Sequence, residues 1–329
     1  MSFSSIIGQA EAIDVLSEEI RQNRISHAYL FSGKSGIGKG KLAFEFAKAI
    51  FCQESPADSC GHCLNCRKMD HQNHPDFKRI AIADEKNSIS ITQIRDLKKE
   101  IAYKPYESAH KVYLIESAEE MTAEAANSLL KTLEEPPSFA TIILLAEDTS
   151  RLLPTIISRC QQLSLQPVTR SQIKDILLEH GLQPEEAEIL SQTAGGSPGQ
   201  ALKLAEIDDY FSVRKKVYDF VKNIKSKNTI EIFKFRDYLV SLISAGFPCF
   251  DLLSDWYRDI IMIKQNYQAT LKNKDYLQDM NRLAGEANQE QLIKNLDLIE
   301  KSELYIKKNI KAELSLEVLL FKLRQADQE

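Results

Sequence analysis

The sequence predicts an α/β domain built on a largely parallel sheet, followed by an all-α region, with the change of character near Leu165. The first half alternates short apolar runs with segments of helical periodicity, the signature of a parallel sheet with helices on both faces. A glycine-rich window, Gly33-Lys34-Ser35-Gly36-Ile37-Gly38-Lys39-Gly40, follows one such apolar run and opens a helical segment, as a phosphate-binding P-loop does. From about Glu206 onward no strand signal of weight remains.

Gln9 to Asn23 has helical periodicity through Ile13, Leu16 and Ile20, and Ala28-Tyr29-Leu30-Phe31 is the strand that enters the P-loop. Lys39 to Phe51 is the helix that leaves it. Further strands are expected at Phe77 to Ile82, Val112 to Ile115 and Thr141 to Ala146, with helices at Ile91 to Ile101 and Thr122 to Glu134. Pro136-Pro137 ends the second of these helices, because proline lacks the N–H and clashes with the preceding turn. In such a fold ligands sit at the C-terminal ends of the strands. From Thr169 to Ala205, short helices broken by Gly181 and Gly195-Gly196-Ser197-Pro198-Gly199 suit a small helical lid. In the last region Ile306, Ile310, Leu314, Val318 and Phe321 recur at helical spacing and are expected to form one core-facing stripe of a long terminal helix. Trp256, with Phe250 and Tyr257, is expected in the core or a subunit interface. The expected domains are 1–165, 166–205 and 206–329.

At 329 residues the chain has room for two or three domains. Its 43% hydrophobic and 27% charged residues are those of an ordinary globular protein rather than a disordered one. A net charge of −5 argues against a protein whose main business is coating nucleic acid. No apolar run approaches the ~18–20 residues of a membrane span, and Met1-Ser2-Phe3-Ser4-Ser5 has no signal-peptide character, so a cytoplasmic protein is expected. Four of the six cysteines, Cys52, Cys60, Cys63 and Cys66, crowd together; in a reducing compartment this points to metal rather than disulfides. Short loops between thiolates can wrap one tetrahedral Zn²⁺ and leave no open position for water, so the expected zinc is structural. His62, His71 and His74 could substitute for Cys52 as fourth ligand but are expected to be surface loop residues.

The P-loop is incomplete. Gly33, Gly36 and Gly38 permit the tight turn and Lys39 has the reach for β- and γ-phosphates, but Gly40 stands where a Ser or Thr hydroxyl would hold magnesium. The strand 112–115 ends in Glu116-Ser117, where an active P-loop ATPase has an Asp for magnesium and often a Glu to activate water. Glu116 is one methylene longer than that Asp, and Ser117 is no general base; losing such a base removes ~10²–10⁴-fold of rate. Ser158-Arg159-Cys160 by itself reads as a surface arginine in an ordinary salt bridge. Its functional alternative is an arginine presented to a phosphate in a neighbouring subunit.

Taken in order, Ile7-Gly8-Gln9, the run Ser26 to Gly33, the four cysteines, the run Ala125-Ala126-Asn127-Ser128-Leu129-Leu130-Lys131-Thr132-Leu133-Glu134-Glu135-Pro136-Pro137 and Ser158-Arg159-Cys160 resemble the bacterial clamp-loader subunits of DNA polymerase III. The resemblance implies an AAA+ module: a P-loop α/β domain with an inserted zinc module at 52–66, a helical lid, and a helical collar that closes a five-subunit ring. It also implies partners: gamma/tau ATPase subunits, a delta subunit, the sliding clamp, and the backbone of primer–template DNA. A motor of this family has Ser or Thr at Gly40, Asp-Glu at Glu116-Ser117, a polar sensor near Glu147 and an Arg at Gly199. The four departures, and the length, are similar to the delta prime branch. That branch implies a subunit without its own ATPase whose Arg159 acts in trans on ATP held by a neighbour. The competing expectation is an ATPase motor of gamma/tau type or another AAA+ ATPase.

Overall fold

The computed structural model describes residues 2–83, 86–267 and 271–325. The chain divides into two compact units, one of residues up to 176 with 196–200, the other of 177–195 with the residues from 201 onward. The segment 166–205, expected as a lid of its own, is thus divided between them.

The first unit is a five-stranded parallel sheet in the order β2-β3-β4-β1-β5. Its strands are β1 (Ala28–Ser32), β2 (Phe77–Ile80), β3 (Lys111–Ile115), β4 (Ala140–Ala146) and β5 (Gln161–Ser164). Alternation along β1 builds two cores. Ala28 and Leu30 face a layer with Ile142 and Leu144. Against that layer pack helices α4 (Ile91–Ile101) and α5 (Ala123–Glu134), through Ile94, Leu97, Leu129 and Leu133. Tyr29 and Phe31 face the opposite layer with Val112, Leu114 and Leu145, covered by helices α1 (Ala10–Arg21) and α2 (Lys39–Phe51) through Leu16, Leu42 and Phe46. The N-terminus of α4 is fixed by a Ser90/Gln93 capping box, and that of α5 by Thr122, whose hydroxyl accepts the Ala125 N–H. A short helix α3 (Leu64–Asp70) follows the cysteines, and α6 (Pro154–Ile157) precedes Arg159. Because β1, β3 and β4 run in one direction, the residues after them, Gly33, Glu116 and Glu147, emerge at the same edge. The strand β5 has no counterpart in the apolar pattern: Gln161-Gln162-Leu163-Ser164 is a half-exposed edge strand and needs no hydrophobic run.

Helices α7 (Arg170–Glu179) and α9 (Pro198–Ala205) straddle the boundaries of the units. The second unit is helical among its described residues: α8 (Pro184–Thr193), α10 (Tyr210–Val221), α11 (Thr229–Ser244), α12 (Cys249–Lys264), α13 (Leu277–Glu286), α14 (Gln289–Lys307) and α15 (Ala312–Gln325). Trp256 of α12 is buried, its ring 4.9 Å from Tyr218 and 5.7 Å from Tyr276. Phe250 and Tyr257 are buried with it. A buried polar network ties α10 and α12 to residues 272–275: Arg214 pairs with both oxygens of Asp275, and Asp259 accepts the N–H groups of Lys272 and Asn273.

The stripe expected on one long terminal helix is corrected by the structure. The helix breaks at Asn309, which takes φ 63° while the Ile310 N–H returns to the Tyr305 carbonyl, a left-handed helix ending. Ile310, Leu314 and Val318 are 43%, 59% and 47% exposed, and the buried stripe of α15 is Leu316, Leu319, Leu320 and Leu323. Residues four apart drift by ~40° per step around a 3.6-residue helix, so the expected series winds off the packed face, whereas spacings of three and four hold one face. Among the described residues no helix is long and apolar enough to cross a membrane.

Candidate functional site

The glycine-rich loop has the shape of a phosphate cradle. Gly33, Gly36 and Gly38 all take positive φ (148°, 69° and 108°), and Gly38 leads directly into α2. With Glu116, Ser117, Leu145 and Glu147, the loop lines an open cleft of about 290 Å³. Two of the side chains expected to hold a nucleotide there, Lys39 and Glu116, are engaged by the chain itself. The Lys39 ammonium donates to the carbonyls of Gly33 at 2.6 Å and Lys34 at 2.9 Å, which uses two of its three N–H groups. Burial depresses its pKa, against the opposing pull of Glu147 and Glu119.

The loop is also closed from above. Ser197 Oγ donates to the Ser35 carbonyl at 2.7 Å, and the Gly199 N–H donates to the Gly36 carbonyl at 2.8 Å. The approach leaves no room for side chains: a Cβ on Gly36 would lie 2.5 Å from Ser197 Oγ, and one on Gly199 would lie 2.8 Å from the Gly36 oxygen. Gly199 has no side chain to hold the two backbones apart. It lets the start of α9 rest on the P-loop backbone.

The acidic edge is likewise occupied. Arg79 of β2 forks onto Glu116, with Nε 2.7 Å from Oε1 and Nη2 2.8 Å from Oε2, so both oxygens expected to face magnesium face a guanidinium. Glu119 Oε1 accepts the Glu147 N–H at 2.8 Å, while its Oε2 is buried without a hydrogen-bond partner. Ser117 sits in the left-handed region at φ 49°. Glu147 itself puts a carboxylate on the cleft wall, which opposes the approach of a triphosphate.

Arg159 lies outside this cleft, past the end of α6. It donates through Nη1 to the Thr155 carbonyl at 2.9 Å, and its Nη2 is 2.7 Å from Glu134 Oε1. Its side chain is 34% exposed.

The four cysteines meet. Their sulfurs all lie within 4.8 Å of one another, and Cys60 and Cys66 are 3.9 Å apart. Zn–S bonds of about 2.3 Å in a tetrahedron give an S···S edge of about 3.8 Å. The N–H groups of Cys60, Cys63 and Cys66 point at the sulfurs of Cys52, Cys60 and Cys63 at 3.3, 3.3 and 3.4 Å, as thiolate ligands require. The set fits one metal ion with Cys52 as the fourth ligand. Among the alternative histidines, His62 pairs with Glu54, whereas His74, expected at the surface, is buried and stacked on Phe51.

Sequence reasoning did not find Arg79, Ser197 or Glu134. The first two act across long separations, and only the P-loop's own carbonyls or the acid's neighbours reveal them. Glu134 lay within the quoted run, and its position beside a helix stop was the available signal.

A family model described as DNA polymerase III, delta subunit, matches residues 8–169, and another, described as DNA polymerase III, delta subunit, C terminal, matches residues 210–325. The DNA polymerase III subunit delta′ of Bacillus subtilis is 32% identical over 320 residues, 96% of this chain and 96% of that protein. The subunit delta′ of Pseudomonas aeruginosa is 32% identical over 308 residues, 90% of each chain. The subunit tau/gamma of Haemophilus influenzae is 34% identical over 212 residues, but that match takes in 62% of this chain and 30% of the other. The similarity runs nearly end to end with the delta′ proteins and covers only part of the tau/gamma one, and the chain belongs to the family of DNA polymerase III delta′ subunits.

Proposed function

We propose that the chain is a catalytically silent AAA+ member of the clamp-loader ring, which presents Arg159 to ATP bound by a neighbouring gamma/tau motor and so helps place the sliding clamp on primed DNA. The observation that carries this reading is the internal occupation of the P-loop: Lys39 on Gly33 and Lys34, Ser197 and Gly199 on Ser35 and Gly36, Arg79 on Glu116. A bound nucleotide has to draw Lys39 off the two carbonyls, and its magnesium has to draw Glu116 off Arg79, without a hydroxyl at Gly40 to hold the metal and without a base at Ser117. Arg159, by contrast, is at the surface and keeps most of its N–H groups for a phosphate, where an arginine in trans is worth ~10³–10⁵ in rate.

In this reading the neighbours are the gamma/tau ATPases and the delta subunit of a five-subunit ring in the cytoplasm, and the clamp and DNA are engaged through the complex. An acidic chain suits DNA contact that is weak and confined to the phosphate backbone. The metal is zinc, held by Cys52, Cys60, Cys63 and Cys66; bound there it supplies structure only, since four thiolates leave no open position. The reading is tested by steady-state ATP turnover of the isolated chain. No turnover is expected. Hydrolysis that Lys39→Ala abolishes overturns the silent subunit in favour of a motor.

A further inference from the structure

Arg159 is held between two anchors of different kinds. Thr155, whose carbonyl accepts from Nη1, belongs to α6 itself, so that contact travels with the arginine. Glu134, whose Oε1 lies 2.7 Å from Nη2, is the last residue of α5. That helix is fixed along its length: Ala125, Leu129 and Leu133 are buried in the sheet core, Thr122 caps its start, and Pro136-Pro137 follow its end. The carboxylate is therefore a post set by the core, while the arginine is a long side chain just past the end of the short helix α6. Two of the runs of sequence that carry the family resemblance, 125–137 and 158–160, touch at this ion pair.

We propose that Glu134 is the positioning residue for Arg159. It holds one N–H of Nη2 and, with Thr155 holding one of Nη1, leaves three of the guanidinium's five N–H groups for a phosphate. An arginine without that post spreads over many rotamers and is caught in the productive one less often. With side-chain exposures of 34% and 48% it lies where a neighbouring subunit can reach it. The inference rests on the reading of Arg159 as a donor in trans.

The test is DNA-stimulated ATP turnover by the reconstituted loader, with substitutions in this chain only. The part of turnover that Arg159→Ala removes is the signal. Glu134→Ala is expected to lower that part roughly 5-fold, the equivalent of about 1 kcal/mol for a half-exposed ion pair, in kcat and not in the KM for ATP. Glu134→Gln, which keeps an acceptor at Oε1, is expected to recover most of it. In the Arg159→Ala background, Glu134→Ala is expected to change nothing further. An unchanged or raised turnover in Glu134→Ala, with Arg159→Ala still impaired, overturns the positioning role alone. An equal additional loss in the Arg159→Ala background does the same, since it marks a structural effect on α5. If Arg159→Ala itself leaves turnover intact, the donor reading and this inference fall together.

Discussion

Gly199→Ala sets helix propensity against the closure of the P-loop. Gly199 is the second residue of α9, where alanine gains up to ~1 kcal/mol over glycine. Its new Cβ, however, would lie 2.8 Å from the Gly36 oxygen and 2.9 Å from the Gly36 Cα, and both are main-chain atoms that cannot rotate away. The helix start and the loop must part, which breaks the Gly199–Gly36 hydrogen bond and stretches the one between Ser197 and Ser35. At ~0.5–1.5 kcal/mol for each bond, loss of both costs about 2 kcal/mol at mid-range against a propensity gain of up to ~1 kcal/mol, so a net destabilisation of about 1 kcal/mol is expected. Urea unfolding measures the sign, and amide hydrogen exchange locates it: the Gly199 and Gln200 N–H groups, donors to Gly36 and to Ser197 Oγ, should exchange faster. A variant as stable as the parent or more so, with protection unchanged at both amides, would show that the closure contributes nothing and that propensity alone governs the position.

Three further outcomes are expected. Cys60→Ser or Cys63→Ser should lower zinc content from about one per chain, as measured by atomic absorption, and loosen residues 52–66, while loader activity is partly kept; metal content equal to that of the parent refutes the four-cysteine site. Lys39→Ala removes two charge-assisted hydrogen bonds to Gly33 and Lys34 and should cost about 1.5–3 kcal/mol of stability by denaturant unfolding, the mark of a lysine that holds its own loop. Asp76 is buried, and although burial raises its pKa, hydrogen bonds from the N–H groups of Tyr106, Glu107 and Ser108 and from the Ser108 hydroxyl outweigh this and depress it. Its contribution is complete above the unfolded value of ~3.9 and is lost as pH falls below that toward the folded value; Asp76→Asn should flatten this limb of the stability–pH curve, and an unchanged limb contradicts it.

Much of the fold was legible because it is local. The helices 39–51 and 91–101 are bounded where the sequence pattern places them, and the strands that build the cleft are continuous apolar runs, as strands buried on both faces must be. The strand β5 was not legible, since an edge strand with one half-buried face carries no such run. The terminal stripe misled because a spacing of four imitates a helix face over two turns and leaves it over four, and because Asn309 has the freedom to end a helix without a glycine or proline to announce it. At the site, the absences at Gly40, Ser117 and Gly199 could be read residue by residue. What fills them could not: Arg79 meets Glu116 across 37 residues, and Ser197 meets Ser35 across 162, pairings that only the packed sheet creates.

The central claim, a silent site and a donated arginine, is tested most directly by DNA-stimulated ATP turnover of the reconstituted loader carrying Lys39→Ala or Arg159→Ala in this chain alone. A silent donor predicts turnover unchanged by Lys39→Ala and sharply reduced by Arg159→Ala, with the complex intact in both. The reverse pattern, loss with Lys39→Ala and none with Arg159→Ala, would return the chemistry to the chain's own P-loop and contradict the donor.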